Sequence, residues 1–161
     1  LESFSRAYGL AVSKSKNKKN IKILSGLLSG VSEELILHET YAKEWDIDLT
    51  TNSIEPATKK YTDFLQDVSE NLTLIEIMCA MTPCMRLYSW LGKNLLNMIP
   101  NNPYSEWILT YSDASFDNLA KSLENLIDEY KDPYDNDQLN FLYKRAMELE
   151  LDFFNSYSYF S

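Results

Sequence analysis

Apolar residues recur every three or four positions along most of this chain, which is the spacing of helices that bury one face. In residues 1–15, for example, Phe4, Tyr8 and Val12 follow one another at intervals of four. The same period predicts further helices over 23–45, 56–69, 71–98, 103–111, 113–131 and 135–159. No segment shows the two-residue alternation of a strand. The pattern therefore predicts an all-α bundle of six or seven helices.

Few helix-breaking residues interrupt these segments. Four glycines and five prolines among 161 residues are under half of average usage, which argues against a many-turned all-β fold. Pro56 suits a first helical turn, whereas Pro83 lies inside a long periodic segment and should kink it, because it cannot donate to the carbonyl of Cys79. Asp135 with Gln138 resembles a capping box that opens the last helix.

The length and the charge of the chain limit the classes of protein to which it can belong. A chain of 161 residues with 45% apolar and 24% charged residues is typical of a single globular domain. Its net charge of −9 predicts no nucleic-acid partner, and no apolar run is long enough to predict a membrane span. Residues 14–22 hold five lysines, which we interpret as a solvated loop rather than a nucleic-acid patch.

The two cysteines, Cys79 and Cys84, lie five residues apart on one predicted helix. At about 100° per residue they point about 140° apart, which is a poor geometry for a disulfide. We expect both thiols to be reduced, as in a cytoplasmic protein.

Cys84 and Tyr88 share a helix face, because they are four residues apart. A thiol becomes a useful nucleophile only beside a base or a hydrogen-bond donor, and a phenol one turn away is a candidate for that role. The alternative is a buried cysteine packed against a core tyrosine.

Glu150 interrupts an apolar stripe in the last predicted helix, since Tyr143, Met147, Glu150 and Phe154 are spaced 4, 3 and 4 apart. A carboxylate that faces a core marks a functional site when desolvation favours its neutral form. The alternative is a boundary glutamate whose carboxylate reaches water.

His38 is the only histidine, and Glu34 precedes it by one helical turn. Helical bundles host haem and di-iron centres, but the Glu-x-x-His pairs typical of di-iron sites are missing from this sequence. We therefore interpret His38 as a structural residue.

Three segments together resemble the TenA family, which comprises thiaminase II and aminopyrimidine aminohydrolase. Residues 80–92 (AMTPCMRLYSWLG) contain the family's proline-cysteine pair, a tyrosine one turn later and then a glycine. Residues 103–111 (PYSEWILTY) resemble its next motif, and residues 148–154 (ELELDFF) resemble its closing helix. The start of the chain and the helix around His38 are also similar, so the match covers essentially the whole sequence in order.

The resemblance implies a role for each matched residue. Cys84 matches the family's catalytic nucleophile, and Glu150 matches the glutamate that acts as acid and base on the bound pyrimidine. Tyr88 and Tyr111 match tyrosines of the substrate pocket, and Tyr61 matches the tyrosine that forms a hydrogen bond near the nucleophile.

The resemblance also implies a haem-oxygenase-like helical bundle, a homotetramer, and a site with no metal, haem or other cofactor. The implied activity is a thiamin-salvage hydrolase that converts aminopyrimidine, and in some members thiamin, to hydroxymethylpyrimidine. The implied partners are these small molecules and further copies of the chain.

One departure from the family concerns the start of the chain. The family's substrate-anchoring aspartate and a nearby aromatic residue would precede Leu1, so we expect residues 1–161 to form a single TenA-like domain that lacks its first helix. Arg86 and Phe154 are further departures, within the motifs themselves. Because of these departures, the alternative function is that of a non-catalytic protein that binds a pyrimidine or interacts with another protein. A haem or di-iron enzyme of similar fold is a third possibility.

Overall fold

The computed structural model describes residues 1–49, 53–100, 102–130 and 136–157. These residues form seven α-helices and one short 3-10 turn, with no strand among them. The helices are α1 Glu2–Lys14, α2 Lys18–Glu44, α3 Pro56–Asn71, α4 Leu74–Asn94, α5 Ser105–Ser112, α6 Ala114–Glu129 and α7 Asn136–Tyr157, and the 3-10 turn is Leu96–Met98. The predicted all-α class is confirmed.

The prediction of a loop over residues 14–22 was wrong, because α2 begins at Lys18. The Asn17 side chain caps this helix by accepting a hydrogen bond from the Asn20 amide at 2.8 Å. Asn20 itself is buried. The cap and this buried contact hold the lysine-rich segment in a helix whose lysines still face solvent.

Lys14 ends α1 and stabilises the end of α3. Its Nζ donates to the carbonyls of Ser69 at 2.8 Å, Glu70 at 3.2 Å and Leu72 at 2.6 Å. The last carbonyls of a helix have no partner within the helix and carry a partial negative charge, so an ammonium group there is favourable. One lysine of the run therefore has a structural role.

Helix α4 begins at Leu74, three residues later than predicted, because Thr73 and Glu76 form a capping box. The Thr73 amide donates to Glu76 Oε2 at 2.9 Å, and the Thr73 hydroxyl donates to the same oxygen at 2.6 Å. The helix continues through Pro83 to Asn94, and within it the Thr82 hydroxyl donates to the Met78 carbonyl at 2.7 Å.

Asp113 caps α6 by accepting a hydrogen bond from the Ser115 amide at 2.7 Å. The proposed capping residue of the last helix, Asp135, and its predicted end at Tyr159 lie outside the described residues.

The chain divides into two compact units. Unit 1 comprises the described residues of Leu1–Ile77 and Glu148–Ser161, and unit 2 comprises Met78–Met147. In unit 1, α1 packs on α2 and α3, and the buried residues include Ala7, Tyr8, Ala11, Leu24, Leu27, Leu65 and Val68. In unit 2, α5 packs on α6, and the buried residues include Met81, Ile108, Ala120, Leu123, Leu126, Leu142 and Ala146.

Within the described part of the chain, no helix has the length and apolar character that crossing a membrane requires.

Candidate active site

The five residues singled out from the sequence fall into two groups, one in each unit. Tyr61 and Glu150 belong to unit 1, whereas Cys84, Tyr88 and Tyr111 belong to unit 2.

The unit 1 group is a buried tyrosine and carboxylate joined by a hydrogen bond. Tyr61 on α3 donates from its Oη to Glu150 Oε1 on α7 at 2.7 Å. Tyr61 is 6% exposed and Glu150 is 1% exposed. Glu150 is therefore a core residue and not a boundary glutamate whose carboxylate reaches water. A buried carboxylate is unfavourable unless donors satisfy it, and Tyr61 is one such donor.

Phe4 on α1 packs against the Tyr61 ring of this pair. Its ring lies 5.7 Å from the ring of Tyr61 in an edge-to-face arrangement, with an interplanar angle of 83°. Such contacts fix the orientation of an aromatic side chain beyond simple burial. The phenol of Tyr61 is thus oriented by packing from α1 and by its hydrogen bond to α7.

In unit 2, the two cysteines of α4 differ in access. Cys84 is partly exposed, whereas Cys79 is buried, and neither forms a disulfide. Cys84 follows Pro83 and precedes Tyr88 by one turn. Only Cys84 therefore has the partial exposure that a reactive thiol requires.

Four rings from three helices form an aromatic cluster in unit 2, made of Tyr88, Trp107, Tyr111 and Phe116. Tyr111 lies at its centre, with ring centroids 5.0 Å from Tyr88, 4.7 Å from Trp107 and 4.8 Å from Phe116. Tyr88 also contacts Trp107 at 5.5 Å. These rings provide flat apolar faces, which suit a planar heterocycle.

Trp107 and Phe116 were not among the residues to which the sequence assigned a role. The signal for Trp107 was its position four residues before Tyr111, which places both on one face of α5. Phe116 gave no signal beyond an ordinary core position in the pattern of α6.

Gly92 explains how α4 and the end of α5 approach closely enough to build this cluster. A Cβ atom at Gly92 would lie 2.5 Å from the carbonyl carbon of Tyr111 and 2.5 Å from the amide nitrogen of Ser112. Only glycine leaves room for such a backbone contact. The glycine that closes the motif of residues 80–92 therefore sets the position of Tyr111.

A network of charged side chains, which sequence reasoning missed, links α4 to α6. Arg86 donates two hydrogen bonds to the Glu124 carboxylate, from Nε to Oε1 at 2.6 Å and from Nη2 to Oε2. Its third nitrogen, Nη1, donates to Asp117 Oδ1 at 2.8 Å. Hydrogen bonds from Lys121 and Lys93, and then from Ser89 and Arg86, hold the pKa of Asp117 far below its usual range, against the opposing effect of burial.

His38 lies on the surface of α2 and not in its buried stripe. Its Nε2 is 4.0 Å from Glu34 Oε1, and its side chain is about half exposed. Like Tyr61 and Glu150, it belongs to unit 1.

The described residues form helices and turns without a strand, which is the fold class that the resemblance to the TenA family implies. The sequence profile of the TENA/THI-4/PQQC family matches residues 1–159. The chain is thus a member of that family, and the resemblance drawn from its motifs is confirmed.

Two named relatives match four fifths or more of this chain. The chain is 31% identical to the bifunctional TH2 protein, mitochondrial, of Arabidopsis thaliana over 97% of this chain and 30% of that protein. It is 30% identical to the aminopyrimidine aminohydrolase of Halalkalibacterium halodurans over 80% of this chain and 61% of that protein. The chain thus spans less than two thirds of the length of these two relatives.

The described residues have the fold of solved TenA structures. A TenA family transcription regulator from Silicibacter sp. TM1040 superimposes with a TM-score of 0.87 at 25% identity. The superposition covers 96% of this chain and 74% of that one.

Proposed function

We propose that this chain carries the activity of an aminopyrimidine aminohydrolase of thiamin salvage. The reaction consumes water and an aminopyrimidine, here aminomethylpyrimidine, and it releases ammonia and hydroxymethylpyrimidine. Thiamin is a second candidate substrate. The observation that carries the proposal is the contrast between the cysteines, because the thiol at the motif position, Cys84, is partly exposed one turn before Tyr88 whereas Cys79 is buried.

In this proposal Cys84 is the nucleophile. Its thiolate adds to the electron-poor pyrimidine ring, and the amine then leaves from the exocyclic methylene carbon with a proton. Water adds to that carbon, the proton of the water is removed, and the bond between sulfur and ring breaks to release the thiolate. The amine is replaced by a hydroxyl group, so the reaction has no net oxidation or reduction.

Glu150 is proposed as the group that gives and takes the protons of these steps. Its support is the burial of its side chain, which keeps the carboxyl group out of bulk water, together with its position in the motif of residues 148–154. Tyr61 is proposed to orient this carboxylate, and its support is the 2.7 Å hydrogen bond.

Tyr88 and Tyr111 are proposed to hold the pyrimidine ring. Their support is the aromatic cluster, in which Tyr111 contacts three other rings. These contacts restrict the Tyr111 side chain to few conformations. A ring that stacks on such a surface binds with little further ordering of the protein.

We also propose a homo-oligomer, a tetramer as in the family, in the cytoplasm. The support for assembly is the set of large apolar side chains exposed on and after α2, including Ile36, Trp45, Leu49 and Ile54. The support for the compartment is that neither Cys79 nor Cys84 forms a disulfide.

A non-catalytic pyrimidine-binding protein is the second candidate function. It is favoured by the structural neighbour from Silicibacter, which is described as a transcription regulator. Titration calorimetry with the pyrimidine separates the two functions, because tight binding without turnover supports this candidate and contradicts the hydrolase.

The test of the hydrolase is release of ammonia and hydroxymethylpyrimidine from aminomethylpyrimidine. A Glu150→Gln variant removes the proposed acid and base, and Glu148→Gln is the matched control, because Glu148 is an exposed glutamate of the same helix. We expect loss of activity in the first variant and retention in the second. Equal activity in both variants would contradict the role of Glu150.

A further inference from the structure

Asp117 is a nearly buried carboxylate, 6% exposed, at the first turn of α6. It accepts hydrogen bonds from Ser89 at 2.9 Å and Arg86 at 2.8 Å, and it pairs with Lys93 at 2.8 Å and Lys121 at 2.7 Å. The first three of these partners lie on α4, and Lys121 lies on α6 itself.

The three partners on α4 mark one face of that helix. Arg86, Ser89 and Lys93 are spaced three and four residues apart, which is the repeat of a single face. At about 100° per residue, the centre of this face lies about 150° around the helix from the face that carries Cys84 and Tyr88. Asp117 therefore holds α4 from the side opposite to the proposed nucleophile.

Phe116, the residue before Asp117, is a member of the aromatic cluster. Phe116 lies 4.8 Å from Tyr111, and Tyr111 lies 5.0 Å from Tyr88. One turn of α6 thus contacts α4 through charges at Asp117, and it also contacts Tyr111, the centre of the cluster. Rotation of α4 about its axis would disturb both the charge network and the ring contacts.

The chemistry of this network suits orientation better than stability. Apart from Asp117 its charged groups are partly exposed, and partly exposed ion pairs add little net stability, because solvent screens their attraction. An Arg–carboxylate fork, in contrast, fixes geometry, because two parallel bonds permit one relative orientation. Arg86 makes such a fork with Glu124 and leaves its remaining nitrogen for Asp117.

We propose that Asp117 is a positioning residue for the hydrolase reaction, which acts through Arg86, Ser89 and Lys93 to set the rotation of α4 and hence the direction of the Cys84 thiol and the Tyr88 ring. This inference rests on the proposed function and deepens it.

The test compares Asp117→Asn with Lys121→Met. The first variant keeps the shape of the side chain and removes its charge, whereas the second removes a partner that lies on α6 and does not connect to α4. For each variant, kcat and KM are measured with aminomethylpyrimidine, and the rate of Cys84 alkylation by iodoacetamide is measured by peptide mass spectrometry. Circular dichroism at the assay temperature gives the folded fraction.

For Asp117→Asn we expect kcat per folded molecule to fall about tenfold or more, because misplacement of a reacting group by about 1 Å has effects of up to about 100-fold. We expect KM to change by less than about threefold, because stacking tolerates small rotations. The alkylation rate of Cys84 should also change by about threefold or more, whereas Lys121→Met should match the wild type in all three quantities.

Wild-type kcat and wild-type alkylation in folded Asp117→Asn would overturn the proposal. Should this variant not fold, the double variant Ser89→Ala/Lys93→Met replaces it, because it removes two of the three links from α4 to Asp117 and leaves the Arg86–Glu124 fork intact, and the same outcomes decide. Should the wild-type chain show no hydrolysis, the proposed function fails by itself. The alkylation rates then still decide whether Asp117 sets the direction of the Cys84 thiol.

Discussion

Tyr61 donates a 2.7 Å hydrogen bond to Glu150 across 89 positions of sequence, and both side chains are buried. The pair joins α3 to α7 within unit 1. A buried carboxylate held by a phenol has a fixed direction, and a fixed direction is what a proton-transferring group requires.

Replacement of Tyr61 by phenylalanine tests whether this hydrogen bond serves the reaction. We expect Tyr61→Phe to reduce kcat by about tenfold or more, because general acid–base catalysis contributes about 10²–10⁴-fold and depends on geometry. Removal of a donor to a buried carboxyl oxygen should also lower the free energy of unfolding by about 1–3 kcal/mol.

Steady-state kinetics and urea unfolding measure these two effects. Tyr104→Phe is the control, because Tyr104 is 65% exposed and the same hydroxyl is removed from the surface. If Tyr61→Phe and Tyr104→Phe have the same kcat, Tyr61 does not orient Glu150 for its proposed role as acid and base.

Gly92 offers a test of the packing that positions Tyr111. In Gly92→Ala the new methyl group would lie 2.5 Å from backbone atoms of Tyr111 and Ser112, so α4 and α5 must separate. Overpacking of this kind costs about 1–3 kcal/mol, and backbone neighbours place the change near the upper end. We expect a lower urea midpoint together with a changed near-ultraviolet circular dichroism signal from the aromatic cluster.

Gly26→Ala is the matched control for that substitution. Gly26 lies within α2, and a methyl group added there would meet no neighbouring atom within 4 Å. Alanine should stabilise the helix at this position by about 0.5–1 kcal/mol. An unchanged midpoint in Gly92→Ala would show that α4 and α5 do not need this close approach.

The charge network around Asp117 predicts how stability depends on pH. The pKa of Asp117 in the folded chain lies far below its ordinary value of 3.8, because the hydrogen bonds from Lys121 and Lys93 and then from Ser89 and Arg86 favour the charged form. A lowered folded pKa means that the stabilisation is fully present above the unfolded pKa and is lost as the pH falls through 3.8 and below.

The measurement is the urea midpoint of the wild type and of Asp117→Asn between neutral pH and pH about 2.5. The wild type should be more stable by about 1–3 kcal/mol at neutral pH, because the variant weakens the hydrogen bonds from the partly exposed cations Arg86, Lys93 and Lys121 to a charged acceptor. This difference should shrink as the pH falls below 3.8. A difference that stays constant over the whole range would show that the charge of Asp117 contributes nothing.

The sequence predicted those parts of the fold that depend on local patterns. The three-to-four-residue period of apolar positions predicted the helices, including α6, which was expected over residues 113–131 and begins at Ala114. The loop predicted over residues 14–22 was wrong because the prediction relied on the lysine-rich composition and overlooked a local helix cap. Asn17 and the buried Asn20 allow α2 to begin at Lys18.

The contacts within the candidate site depend on pairs that are distant in sequence, and no local period reveals them. Arg86 and Asp117 are 31 residues apart, and neither interrupts its helix in a way that a spacing rule detects. Glu150 was noticed because a carboxylate broke an apolar stripe, but its partner Tyr61 came only from the resemblance and not from any physical rule.

The role of Cys84 is the central claim, and ammonia release from aminomethylpyrimidine by Cys84→Ala and Cys79→Ala tests it most directly. Both variants remove one thiol from α4, but Cys79 is buried and has no proposed part in the reaction. We predict that Cys84→Ala releases no ammonia above background, whereas Cys79→Ala retains most of the wild-type rate per folded molecule. Equal ammonia release by Cys84→Ala and the wild type would contradict the account.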